Sequence, residues 1–302
     1  KLISKEDLKG KLIILESTSY PSTTREKIEK KLSNKYLVVG KNYFVGYSPE
    51  RISPGQKEKL EQIPKLYCGV SKNCTILIKE LYRKTFKKIV QTNTIEVAET
   101  SKIFENIFRA VNIALVNEMK MICNKMKIDI FDVIKAASTK PFGFMPFFPG
   151  PGWGGHCIPV DPFYMSWIAK KYKINANFIN LAGKINTMMP KYIISLLNKI
   201  LKNNYKRKIL IIGVAYKEDI SDTRESPAIK IIEQLKKNKK YTVDYHDPHV
   251  PILKGLKLKN INLNAKKVRD YDCLIITTSH KGINWELIKK NSKSIIDTRG
   301  KI

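Results

Sequence analysis

A chain of 302 residues with 43% hydrophobic and 9% aromatic content can bury a core and has room for two domains, which excludes disorder as its default state. Its apolar runs stop short of the roughly 20 residues that a membrane-spanning helix needs, and five cysteines at irregular spacing suggest neither a disulfide framework nor a zinc ribbon. A soluble, cytoplasmic protein is expected. The formal net charge of +29 raises nucleic acid as a partner, but the lysines are scattered through every segment and mixed with acids, so they read as a solvated surface that would also attract a diphosphate. No nucleic-acid or membrane partner is expected.

In chain order, residues 4–8 read as a short helix stopped at Gly10, and residues 11–15 as a buried strand ending at Glu16-Ser17-Thr18. Residues 43–47 give a second strand, followed by Ser48-Pro49-Glu50-Arg51, and residues 74–86 have helical period. These pieces look like the last strands and helices of an α/β sheet, without the Gly-rich turn of a dinucleotide-binding half. From residue 94 to 126 apolar side chains recur at helical spacing with no Gly or Pro, which predicts one long helix. A helix at 130–138 leads into a Pro-, Gly- and aromatic-rich loop from 141 to 162. Helices follow at 163–172 and 175–203, the second expected to break near Pro190.

After Tyr205 strands at 209–214, 242–245, 273–277 and 294–296 alternate with a helix at 226–236, the pattern of βαβ units and a parallel sheet. Its first turn, Gly213-Val-Ala-Tyr-Lys217, has one glycine where a dinucleotide fingerprint needs three, so NAD is not expected there. The fold class is therefore α/β: the remnant of an N-terminal Rossmann domain (1–92), a central all-α dimerisation region with the cysteine loop (93–204), and a C-terminal Rossmann-like domain (205–302).

The segment from Pro149 to Asp161 concentrates the chemistry. Its glycines and prolines keep the backbone open to a ligand around Cys157, beside His156, with Asp161 four residues on. A buried structural cysteine is the bland alternative; the loop favours a nucleophile. Lys102 and Asn106 lie one turn apart on the long helix and share a face. Glu50 and Thr18 each follow a strand end, where ligands of open α/β sheets collect. His246, Asp247 and His249 could suggest a metal, yet histidines in such a turn are usually surface residues.

Together these motifs resemble the UDP-sugar 6-dehydrogenases, the UDP-glucose and UDP-N-acetylhexosamine dehydrogenases. The matching runs are Leu15-Glu-Ser-Thr18 with Pro21 and Thr23-Thr24, the segment from Tyr47 to Gly55, Glu99-Thr-Ser-Lys102 with Asn106, the segment from Gly152 to Asp161, and Gly213 to Asp219 with Asp222 to Pro227. Residues 139–144 and 148–152 look most like the enzymes acting on UDP-N-acetylglucosamine. Ser22 departs from the glycine that the family usually has after this proline. The first part of the family's NAD domain has no counterpart here.

The resemblance implies NAD as cofactor, no metal, and a place in nucleotide-sugar metabolism for polysaccharide biosynthesis. It implies a four-electron oxidation at C6 through a Cys157 thiohemiacetal and thioester. Lys102 and Asn106 would stabilise the oxyanion, Asp161 would act as base, and Glu50 and Thr18 would place water. Substrate contacts are implied for Lys102, Asn106, Phe148, Gly150, Gly154, Lys217 and Arg299, with Arg109 reaching substrate across a homodimer. Cofactor contacts are implied for Ser17, Thr18, Glu50, Cys157 and Arg224. The competing expectation is a catalytically impaired fragment that binds UDP-sugar without turnover.

Overall fold

The computed structural model describes residues 8–52, 60–155, 157–202 and 205–302. The expected helix at residues 4–7, His156 and the end of the 47–55 motif lie outside them. In chain order the elements are β1 (Leu12–Leu15), α1 (Lys30–Leu32), β2 (Phe44–Tyr47), β3 (Lys65–Gly69), α2 (Lys72–Tyr82), β4 (Ile89–Gln91) and α3 (Ile95–Met126). Then follow α4 (Ile130–Ala137), α5 (Asp161–Lys171), α6 (Asn177–Ile200), β5 (Arg207–Ile212), α7 (Pro227–Lys237), β6 (Tyr241–His246), β7 (Ile252–Leu253) and β8 (Leu258–Lys259). The chain ends with α8 (Ala265–Arg269), β9 (Cys273–Ile276), α9 (Trp285–Asn291) and β10 (Ile295–Asp297). This is an α/β fold with parallel strand pairs and a central helical region. Among the described residues no helix is long and apolar enough to cross a membrane.

The chain forms two compact units, Lys1–Phe108 with Asp161–Ala176, and Arg109–Val160 with Asn177–Ile302. In the first, the sheet order is β1-β2-β3-β4, with β1 parallel to β2, β3 parallel to β4, and β2 antiparallel to β3. Adjacent β3 residues Tyr67 and Cys68 enter different apolar clusters, so both sheet faces are covered. Strands β3 and β4 escape the sequence pattern: β3 opens with Lys65, and β4 is only three residues long. Ser71 caps α2 by accepting the Cys74 N–H, which fixes where the helix leaves the sheet.

In the second unit the sheet is parallel throughout, in the order β10-β9-β5-β6. Along β5, Ile209 and Ile211 enter one cluster with α6 and α7, and Leu210 and Ile212 enter the other with Val268 of α8 and Ile288 of α9. That alternation is the two-sided burial a parallel sheet requires. Ser226 caps α7, with Pro227 at its first turn.

The expected break near Pro190 is corrected: α6 runs unbroken from Asn177 to Ile200 with Pro190 inside. An interior proline costs roughly 3 kcal/mol. Burial of Ala182, Ile185, Met189, Ile193 and Leu197 along the same helix outweighs it.

Candidate functional site

In the first unit, parallel pairing of β1 and β2 sends the Glu16-Ser17-Thr18 and Ser48–Arg51 loops off the same carboxyl end of the sheet. Ser17 is exposed and Thr18 half-buried. Glu50 accepts the N–H groups of Arg51 and Ile52, each at 2.7 Å. Lys65, absent from the sequence reading, stands 2.9 Å from Glu16 and 3.4 Å from Glu50 with only 6% of its side chain exposed. The buried hydroxyls of Ser19 and Tyr47 interact with each other, and that of Ser48 with Tyr82, beside the same strand ends.

Helix α3 presents Lys102, half-buried, and Asn106, buried, one turn apart. Asn106 Nδ2 donates to Asp161 Oδ2 at 2.8 Å, and both side chains are buried. Two of the implied catalytic residues, 55 positions apart, are thus in direct contact. Arg51 pairs with Glu105 on α3 at 2.7 Å.

In the second unit, Cys157 is half-buried, whereas Cys68, Cys74, Cys123 and Cys273 are buried. Its loop is anchored by Trp153 and Ile158, which pack against Ala110 of α3, and by the Gly155 N–H donating to the Arg224 carbonyl at 3.0 Å. The loop's glycines answer close approaches. A Cβ at Gly154 would lie 2.6 Å from Tyr216 Cβ, and one at Gly150 would lie 2.8 Å from Arg299 Nη1. The structure therefore brings Gly150 to Arg299, and Gly154 to the turn carrying Tyr216 and Lys217. Arg224, exposed, is held by Asp222, its Nε donating to Oδ1 and its Nη2 to Oδ2; this pairing raises its pKa. Phe148 and Arg109 are exposed.

The turn after β5 is built on a residue whose surroundings the sequence did not reveal. Asp247 is fully buried, and its Oδ2 accepts Val214 N–H at 2.6 Å, Ala215 N–H at 3.0 Å and His280 Nε2 at 3.0 Å. Backbone amides that would cradle a phosphate in a dinucleotide-binding turn are thus filled by an internal carboxylate. Asp219, His249 and His280 offer ligand atoms within 4.8 Å of one another. His280 cannot ligate, because Nδ1 accepts the Asp219 N–H at 2.9 Å while Nε2 serves Asp247.

Comparison with known proteins agrees with these motifs. Residues 96–188 match the central domain of the UDP-glucose/GDP-mannose dehydrogenase family, and residues 210–302 match its UDP binding domain. A UDP-N-acetyl-D-mannosamine dehydrogenase of Methanococcus vannielii is 34% identical, over 96% of this chain and 66% of its own length. A UDP-N-acetyl-D-glucosamine 6-dehydrogenase of Pseudomonas aeruginosa is 35% identical, over 95% of this chain and 70% of its own. The solved UDP-D-ManNAc dehydrogenase of Pyrococcus horikoshii superposes with a TM-score of 0.86 at 34% identity, covering 99% of this chain and 71% of that one. The chain spans about two thirds of the length of the relatives it matches. It belongs to the UDP-glucose/GDP-mannose dehydrogenase family.

Proposed function

We propose that this chain carries the chemistry of an NAD-dependent UDP-hexose 6-dehydrogenase, with UDP-N-acetylglucosamine as first substrate, oxidising C6 to the carboxylate. The observation that carries the reading is Cys157, the half-buried cysteine among four buried ones, set in a glycine-rich loop. Its thiolate attacks the aldehyde that loss of a first hydride to NAD would leave at C6; the thiohemiacetal would give a second hydride to a second NAD, and water then hydrolyses the thioester and releases the thiolate. Lys102 and Asn106 donate to the oxyanion at C6. Asp161, held by Asn106, orients or deprotonates the hydrolytic water, and Glu50 and Thr18 help to place it.

The strand ends of β1 and β2 fit the nicotinamide half of NAD, since ligands of open α/β sheets collect outside the carboxyl ends of parallel strands. Ser17, Thr18 and Glu50 would border NAD there, and NAD would supply the hydride acceptor. Lys217 and Arg299 hold the diphosphate, Phe148, Gly150 and Gly154 border the sugar nucleotide, and Arg224 serves the cofactor. The domain boundaries at residues 92 and 204 follow the same reading, as does a homodimer in which Arg109 reaches the partner's substrate.

Calorimetry with UDP-N-acetylglucosamine, UDP-N-acetylmannosamine and UDP-glucose, alongside iodoacetamide labelling of Cys157, tests this function. The expected result is tightest binding of UDP-N-acetylglucosamine, fastest labelling at Cys157, and protection of Cys157 by the bound sugar nucleotide. Equal weak binding of all three, or preference for DNA, would remove the substrate assignment. Binding with no uronic acid formed from NAD would leave a UDP-sugar-binding fragment.

A further inference from the structure

The backbone of the cysteine loop hangs on two buried amides. Asn117 of α3 is fully buried and Asn186 of α6 is 1% exposed. Asn117 Oδ1 accepts the Gly150 N–H at 2.9 Å, Asn117 Nδ2 donates to Asn186 Oδ1 at 2.9 Å, and Asn186 Nδ2 donates to the Ala110 carbonyl at 3.0 Å. The direction of this relay is fixed. Turning over the Asn186 amide would set two carbonyl oxygens face to face at Ala110 and two N–H groups face to face at Asn117, inside a medium where unmade hydrogen bonds are costly.

Asn186 meets the loop a second time through its main chain. Pro190 has no N–H to return to the Asn186 carbonyl four residues earlier, so the helix leaves that oxygen without its usual partner. A Cβ at Gly152 would lie 2.8 Å from this same oxygen, and Gly152 has φ +125°, a conformation closed to residues with a Cβ. The proline that an unbroken helix tolerates at a cost therefore frees a carbonyl where the loop passes.

We propose that Asn117 and Asn186 are positioning residues that set the seat of the 149–155 loop, and through it the placement of Cys157 and of the Gly150 face against Arg299. The proposal rests on Cys157 being the nucleophile read above. Asn117 and Asn186 are too deeply buried to touch substrate, so they act through the loop.

Two variants of the full chain test it. Asn117→Asp keeps volume and the acceptor for Gly150, but turns a carboxylate oxygen toward Asn186 Oδ1. Pro190→Ala returns an N–H to α6 and competes for the Asn186 carbonyl, a change that favours the helix and so keeps the fold. Labelling of each cysteine by iodoacetamide is followed by peptide mass spectrometry, with thermal unfolding and UDP-N-acetylglucosamine calorimetry in parallel. Asn117→Asp is expected to change the Cys157 rate at least fivefold and weaken binding about tenfold, while buried Cys123 and Cys273 stay unlabelled. Pro190→Ala is expected to hold or raise Tm and still change the Cys157 rate about threefold. A purely structural role would move Tm and leave folded-state reactivity alone.

A changed Cys157 rate in either folded variant supports the proposal, and rates within twofold of the parent in every folded variant overturn it. If Asn117→Asp does not fold, Pro190→Ala decides by itself. A parent chain whose Cys157 is not protected by UDP-N-acetylglucosamine would sink the nucleophile reading, while the comparison of rates between variants would still decide the positioning.

Discussion

Ser22 has φ +75°, a region where a Cβ is strained by about 1 kcal/mol. The strain is imposed from α3. Glu99, fully buried, accepts the Ser22 N–H at 2.6 Å with one oxygen, and the Thr24 N–H and hydroxyl at 2.8 and 2.7 Å with the other. Burial raises the Glu99 pKa in spite of these bonds. A glycine here would enter positive φ without a Cβ. Ser22→Gly should stabilise the chain by up to about 1 kcal/mol, less the extra entropy of a glycine in the unfolded state. Urea unfolding would show it as a raised midpoint with unchanged slope. A lowered midpoint would mean that the Ser22 side chain contributes more than its backbone conformation costs. At this scale the loop around Cys157 was legible because its glycines and prolines stand out in local composition. Asn117 and Asn186 were hidden, because a contact spanning 69 positions leaves no local trace.

Among the elements, the turn between β5 and α7 shows how a buried charge can shape a loop. Desolvation alone would raise the Asp247 pKa, yet the bonds from His280 and from the N–H groups of Val214, Ala215 and His249 hold it below the ordinary aspartate value of 3.8. A depressed carboxyl stabilises the fold fully above its unfolded value, and that contribution disappears as pH falls through the lower folded value. Asp219, His249 and Lys281 also border the pair, Lys281 bonding Asp219 at 3.0 Å. His280→Ala removes one charge-assisted bond to Asp247 and should cost roughly 1.5–3 kcal/mol. It should also move the acid-unfolding midpoint to higher pH, read by near-ultraviolet dichroism. An unmoved midpoint would show that the backbone amides suffice to hold the carboxylate. The strand β5 was legible at its centre because Ile209 to Ile212 form an apolar run; the pattern predicts it over 209–214 and it runs from Arg207 to Ile212, opening two residues earlier on Arg207 and Lys208. Its supporting histidine was not legible, since His280 lies 33 residues from Asp247 and looks like any loop residue. Strand β3 failed the same test in reverse: Lys65, buried between two carboxylates, reads in sequence as solvent-facing.

At the scale of the whole molecule, two features oppose each other. Helix α3 leaves Phe104, Phe108, Leu115, Met119, Ile122 and Met126 exposed, at spacings of three, four and seven that place them along one face. An apolar stripe of that length favours a second copy of the chain, which would cover it with its own stripe. Each copy also carries a formal charge of +29, so approach is repelled over a distance that salt shortens, to about 8 Å at physiological ionic strength. Association through the stripe should therefore tighten as salt rises, the opposite of a contact built on ion pairs. Light scattering across a salt series should find a homodimer at micromolar concentration that weakens at low ionic strength. Leu115→Asp, which sets a charge in the middle of the stripe, should weaken dimerisation by about a hundredfold, in line with the roughly 1.5–3 kcal/mol that burial of one leucine supplies plus the cost of burying a carboxylate. Unfolding of the monomeric variant at high salt should stay close to that of the parent measured below its dimerisation range, because Leu115 is 52% exposed in the single chain. A chain that remains monomeric across the salt series would show that α3 does not pair with its own copy.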